Sequence, residues 1–97
     1  MTIDNDIEFK KWIAVKIGRI KYGDNILVGY NYLMQAVEKI NTSSGEYYIE
    51  MGQKSWSVYK LLKDKKELAK YCHWIDNNGM LGALKEAIYY IYKESMK

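Results

Sequence analysis

The chain has one thiol and one imidazole, adjacent in Tyr71-Cys72-His73-Trp74. A Cys–His nucleophile needs its two side chains within hydrogen-bond reach. On a helix, consecutive side chains point about 100° apart, so a helical Cys72 and His73 do not face each other. Cys72 shares a spacing with Leu68 and Ile75, which assigns it to a buried stripe where a free Cys acts as a small hydrophobe. His73 then falls at the rim. One Cys cannot close an internal disulfide, and one Cys with one His cannot build a Cys/His metal site. Asp4, Asp6 and Glu8 lie close together but lack the spacing and closing Glu of a calcium loop. An exposed acidic first turn, favourable at a helix N-terminus, accounts for them. Gly79-Met80-Leu81-Gly82 has neither the Lys-Ser/Thr of a phosphate loop nor dinucleotide-binding spacing. Capping accounts for Gly79 and close packing for Gly82. These residues point to no catalytic set, no metal and no cofactor, and the expectation is a protein that is not an enzyme.

Two compositional features remain. Residues 54–70 carry Lys54, Lys60, Lys63, Lys65, Lys66 and Lys70 against Asp64 and Glu67, a net +4 where the whole chain has +3. Lys63, Lys66 and Lys70 would form one stripe on a helix. Such a stripe is a solvated face, a docking site for an acidic protein surface, or a phosphate contact whose affinity falls steeply with salt. Arg19 is the only Arg among 15 basic residues. Arg makes the bidentate contacts that read phosphate and guanine, so its scarcity argues against sequence-specific DNA recognition. AT-rich coding DNA would produce the same excess of Lys, Ile, Asn and Tyr. The ten Tyr are the second feature. Tyr89 and Tyr90, beside Lys85 and Lys93, are expected to project sideways or outward from the last helix, and Tyr48, or Tyr47 with the strand flipped, to face away from the core. Exposed Tyr beside Lys suits a protein-binding surface or a stacking platform for single-stranded bases. The candidate partner-binding residues are Lys63, Lys66, Lys70, Tyr89, Tyr90 and Lys93.

The elements that position these residues must fit in 97 residues, which allow one compact domain over 1–97. Hydrophobic residues make up 48% of the chain and Pro is absent, a globular rather than disordered composition. Residues 9–30 are open to two readings. Phe9, Trp12, Ile13, Ile17 and Ile20 follow helical spacing, whereas Ile13, Val15 and Ile17 alternate. Gly23-Asp24-Asn25 is a good hairpin connection, favouring strands near 12–22 and 26–30 after a helical turn at 4–10. Asn31 can cap a helix with Leu33, Met34, Val37 and Ile40 inward. Residues 46–51 read as a strand turning at Gly52-Gln53-Lys54 into a second strand at 55–60, with a helix from Ser55 or Ser57 as the rival. Asp64-Lys65-Lys66-Glu67 resembles a capping box and predicts a helix over about 65–76, stopped at Asn77-Asn78-Gly79. Leu81, Leu84, Ile88 and Ile91 define a last helix over about 80–95. A 29-residue shift superposes Ile20, Gly23, Tyr30, Leu33 and Glu38 on Ile49, Gly52, Tyr59, Leu62 and Glu67, a weak internal repeat of 20–38 and 49–67. The fold expected is α+β: one or two β-hairpins packed against about three helices, with an all-α bundle of four to five helices as the alternative.

The start of the chain is acidic and lacks the apolar segment of a secretory signal. The uncharged stretch Ile26–Val37 holds twelve residues, against roughly 20 for a bilayer span. A cytoplasmic protein without membrane contact is expected. Lys11-Trp12-Ile13-Ala14-Val15 through Leu27-Val28-Gly29-Tyr30-Asn31-Tyr32-Leu33-Met34-Gln35-Ala36-Val37 resembles a pattern of small phage and prophage proteins. In that pattern a Trp-containing hairpin strand leads through a Gly-Tyr step into a helix. Here Gly29 sits one position off and Val37 stands for the usual Leu. In general character the chain is also similar to phage-encoded inhibitors of host defence, including anti-CRISPR proteins. The resemblance implies a non-enzymatic protein-binding module that occludes a surface of a host protein or nucleoprotein complex, acting in the host cytoplasm. The alternative is a small basic nucleic-acid-binding protein using Lys54–Lys70. Either is compatible with a homodimer.

Overall fold

The computed structural model describes residues 3–18 and 29–97. After a 3-10 turn at Ile3–Asn5, helix α1 spans Ile7–Lys16. Asp6 starts it: its Oδ1 accepts the Phe9 N–H at 3.1 Å, satisfying one of the donors that a helix N-terminus leaves open. Phe9 and Ile13, one turn apart, are buried with Ala14, while Val15 is 77% exposed. The strand expected from residue 12 is therefore helix through Lys16. The cap and the Phe9/Ile13 stripe outweigh the Ile13-Val15-Ile17 alternation. The hairpin's turn at Gly23-Asp24-Asn25 and residues 19–28 lie outside the described residues. Tyr30, its expected last residue, is already helical.

Helix α2 spans Tyr30–Lys39, capped by Gly29 rather than Asn31, and buries Leu33, Ala36 and Val37. A π-helical turn, Ile40–Ser44, continues it and ends at Gly45 in the left-handed region, at φ 68°. This turn swings Asn41 onto strand β1. The Asn41 carboxamide accepts the Ile49 N–H at 2.7 Å and donates to the Ile49 carbonyl at 3.0 Å.

Three antiparallel strands follow in the order β1 (Tyr47–Met51), β2 (Ser55–Leu61) and β3 (Lys66–His73). Two tight turns join them. The Gly52 N–H donates to the Ser55 carbonyl, and the Leu62 N–H to the Lys65 carbonyl, each at 2.8 Å. The register sets Ile49 opposite Val58 and Trp56 opposite Cys72, with a bulge between Val58 and Tyr59. Strand β3 lies where a helix over 65–76 was expected. Asp64 sits in the turn and caps nothing, Leu68 and Ile75 are exposed, and only Cys72 of the expected stripe is buried. The reason is β2: Trp56 and Val58 make it an apolar central strand, and its second row of backbone donors and acceptors must be paired. The strand at 55–61 also overturns the helical rival for that segment. The 29-residue shift sets α2 against the β2–β3 turn.

A 3-10 turn at Ile75–Asn77 and left-handed Asn78 lead into α3, Met80–Ser95. Gly82 passes so close to the Asn77 carbonyl that a Cβ would collide with it. Helix α3 packs on one face of the sheet and buries Ala83, Leu84, Ala87, Ile88, Ile91 and Tyr92. Opposite lie Ile49, Trp56, Val58 and Cys72, all buried. The Trp56 Nε1–H donates to the Met80 carbonyl at 3.2 Å. Helices α1 and α2 complete the layer. Phe9 meets the Tyr89 ring edge-on at 4.8 Å, and the Tyr89 hydroxyl donates to Asp6 Oδ2 at 2.9 Å. The fold is thus α+β, two hairpins sharing β2 and packed against three α-helices. Among the described residues, no helix is long and apolar enough to cross a membrane.

Asp6 is buried rather than part of an exposed acidic turn. Burial pushes its carboxyl up. The Phe9 N–H, the Tyr89 hydroxyl, the Lys93 charge and the Glu8 N–H outweigh that and hold it below the ordinary carboxylate value. A lowered folded value means that the charged form contributes stability above the unfolded pKa, and that this stability is lost as pH falls through the folded value. Asp6→Asn is expected to be less stable than wild type by about 1 kcal/mol at neutral pH, the scale of a helix cap or a charged hydrogen bond. In urea titrations the gap should close as pH drops below about 4. A gap independent of pH would assign Asp6 a purely steric role.

Candidate docking face

Strand pleating divides the sheet's side chains between two faces. The register places Tyr48 and Glu50 of β1, Ser55, Ser57, Tyr59 and Leu61 of β2, and Lys66, Leu68, Tyr71 and His73 of β3 on the face opposite α3. The bulge between Val58 and Tyr59 keeps Leu68 and Tyr71 together on that face although they are three residues apart. Among the described residues no helix covers it. Leu68 and Tyr71 are each 54% exposed and Tyr48 is 37% exposed. Ser55 and Ser57 are buried between larger neighbours and form its floor.

Lys66 starts the edge strand β3 and reaches inward across this face. Its ammonium lies 4.4 Å from the Tyr59 ring centroid and 5.8 Å from that of Tyr48, and 3.3 Å from Glu50 Oε2. Cation–π attraction to two rings holds a side chain that would otherwise sample many rotamers. Tyr71 and His73, two residues apart on one face, have ring centroids 6.1 Å apart. The tight turns at both ends bring further lysines: Lys54 at one, Lys63 and Lys65 at the other.

The candidate residues read from sequence fall into three groups. Lys63, Lys66 and Lys70 do not form a stripe, because their segment is turn and strand. Lys63 sits in the β2–β3 turn, Lys66 on the uncovered face, and Lys70 opposite Val58 on the helix-facing side, exposed at the sheet edge. Tyr89 and Lys93 belong to the α1–α3 contact: Tyr89 bonds Asp6, and the Lys93 ammonium lies 5.2 Å from the Tyr89 ring and 5.8 Å from that of Tyr92. Tyr90 is half-buried against the core on another side of the helix. Sequence reasoning missed Tyr59, Leu68 and Tyr71. The available signal was the alternation Trp56-Val58 against Ser57-Tyr59, which marks β2 as two-faced and requires a strand on each side.

Among the described residues, the displaced pKa values all move away from neutrality. Burial raises Cys72, Tyr47 and Tyr92; hydrogen bonds to Tyr89 and Glu94 raise Lys93 and Lys97; Asp6 moves down. On strand β3, Cys72 and His73 point to opposite faces, and Cys72 is 1% exposed beneath α3. Among the described residues, no cluster of His, Cys, Asp or Glu can hold a metal ion. No protein-family model, curated protein or solved structure matches the chain.

Two outcomes follow for stability and reactivity. Leu68→Ser and Tyr71→Ser should each change unfolding free energy by less than about 0.5 kcal/mol, as exposed positions do. Trp56→Ala on the opposite face should cost about 3–5 kcal/mol. A comparable loss at Leu68 or Tyr71 in urea titrations would mean that the face is covered. The Cys72 thiol should react with a chromogenic disulfide reagent only as fast as the chain opens. Equal rates in native and denatured protein would contradict its burial.

Proposed function

We propose that the protein is a non-enzymatic protein-docking module of phage or mobile-element type, and that its interface is the uncovered face of the sheet. The observation that carries this reading is the composition of that face. The solvated side of an antiparallel sheet is ordinarily polar. Here it presents Tyr48, Tyr59, Leu68 and Tyr71. Tyrosines give large contact area with only two side-chain torsions to fix, and aromatic anchors near the centre of an interface carry most of its energy. The likeness to phage-encoded inhibitors supports a partner in a host defence protein or nucleoprotein complex, one surface of which would be occluded.

Single-stranded nucleic acid fits the same face less well. Bases need open ring faces on which to stack. Lys66 already lies over Tyr48 and Tyr59, and Glu50 places a carboxylate among them.

The test is capture from host lysate with wild type and with Tyr71→Glu as bait, after circular dichroism has shown equal melting temperatures. Wild type should retain a protein that Tyr71→Glu loses, a drop of about tenfold or more for an interface anchor. Equal capture by both would overturn the reading.

A further inference from the structure

Resting on that docking face, we infer that its partner is an acidic protein segment, and that Glu50 occupies the position a partner carboxylate takes on Lys66. Lys66 is a poised cation. The Tyr48 and Tyr59 rings fix its ammonium, while its side chain remains 51% exposed. Among the described residues its carboxylate partner is Glu50, 49% exposed. An ion pair this open to water contributes about 0–1 kcal/mol, so exchanging Glu50 for an incoming carboxylate costs little. An ammonium also has three donors, so the two carboxylates can share it during the exchange.

The charge around the face decides between occupants. Within residues 54–70, Lys60, Glu67 and Lys70 lie on the helix-facing side, which leaves Lys54, Lys63, Lys65 and Lys66 in the turns and on the face against Asp64 and Glu50, a net +2. A second copy docking face to face would set these lysines against their equivalents. An acidic segment meets them with opposite charge, which steers its approach and fixes its register. Nucleic acid also brings negative charge, but it must displace Lys66 from two rings before stacking on them.

The experiment is fluorescence anisotropy with the full chain and three labelled probes: a peptide of alternating Glu and Val, the same peptide with Gln for Glu, and an oligothymidylate. The Glu peptide should bind about tenfold or more tightly than the Gln peptide, and its affinity should fall with salt. Lys66→Gln should weaken it about fivefold, and Glu50→Gln, which removes the internal competitor, should tighten it about threefold; both correspond to the energy of an exposed pair. No binding of the Glu peptide, equal binding of the two peptides, weaker binding by Glu50→Gln or preference for the oligothymidylate would each overturn the inference. So would a dimer in light scattering that Tyr71→Glu converts to monomer, which would assign the face to a second copy. If Tyr71→Glu abolishes lysate capture while the Glu peptide fails to bind, the docking face stands and only the acidic partner falls. If Tyr71→Glu leaves capture unchanged, the docking face itself falls.

Discussion

The indole of Trp56 fixes where α3 meets the sheet. It sits in the central strand, 2% exposed, and a buried N–H without an acceptor would cost about 1–3 kcal/mol. The acceptor is the Met80 carbonyl in the first residue of α3. The helix start is thereby pinned to the central strand, and Gly82 lets the preceding turn close against it without a side chain between. From that point Ala83 and Ala87 keep the helix near the strands, while Leu84, Ile88 and Ile91 fill the space to Ile49, Val58 and Cys72. Among the described residues, α1 and α2 pack into the same layer as α3, and no helix is placed on the second side. The uncovered face is thus a direct result of how the helical layer is used.

Its chemistry differs from what a bare count of charges implies. The lysines are not a uniform basic field. Lys93 lies over the rings of the α1–α3 contact, Lys85 reaches Asp4 at 2.9 Å, and Lys66 is held among tyrosines and Glu50. The tyrosines divide in the same way. Tyr92 is core, Tyr89 ties two helices through Asp6, and Tyr48, Tyr59 and Tyr71 remain on the sheet. Type alone does not separate these roles; the pleat does.

Helix α3 and strands β1 and β2 were legible in the sequence, because their apolar residues recur with one period over a whole element. The same alternation left Tyr48 or Tyr47 to face outward, and the structure turns Tyr48 out and buries Tyr47. Strand β3 was not legible. Leu68, Cys72 and Ile75 mimic a helical stripe, and Asp64-Lys65-Lys66-Glu67 mimics a cap. What decides β3 is non-local: the unpaired edge of β2, which no window around residue 68 contains. Helix α1 failed as a hairpin for a related reason. Asp6 and Phe9 set the helix from outside the alternating Ile13-Val15-Ile17 segment, and Asp6 is itself held by Tyr89, far along the chain. The candidate site inherited these errors. Lys66 was selected for a helical stripe that does not exist, yet its ammonium reaches Tyr48, Tyr59 and Glu50 on the uncovered face, whereas Tyr89 and Lys93 are engaged within the fold.

The carboxamide of Asn41 gives the sheet a direction of growth. Open-edged sheets stack into fibrils because each added strand presents a fresh edge like the one it covered. Here a side chain on the π-helical turn takes both the N–H and the C=O of Ile49, in the manner of a neighbouring strand one residue long. Every copy carries this plug on β1. A strand that joined the sheet through β3 would bring its own closed edge with it, so edge-to-edge association terminates at a pair instead of propagating.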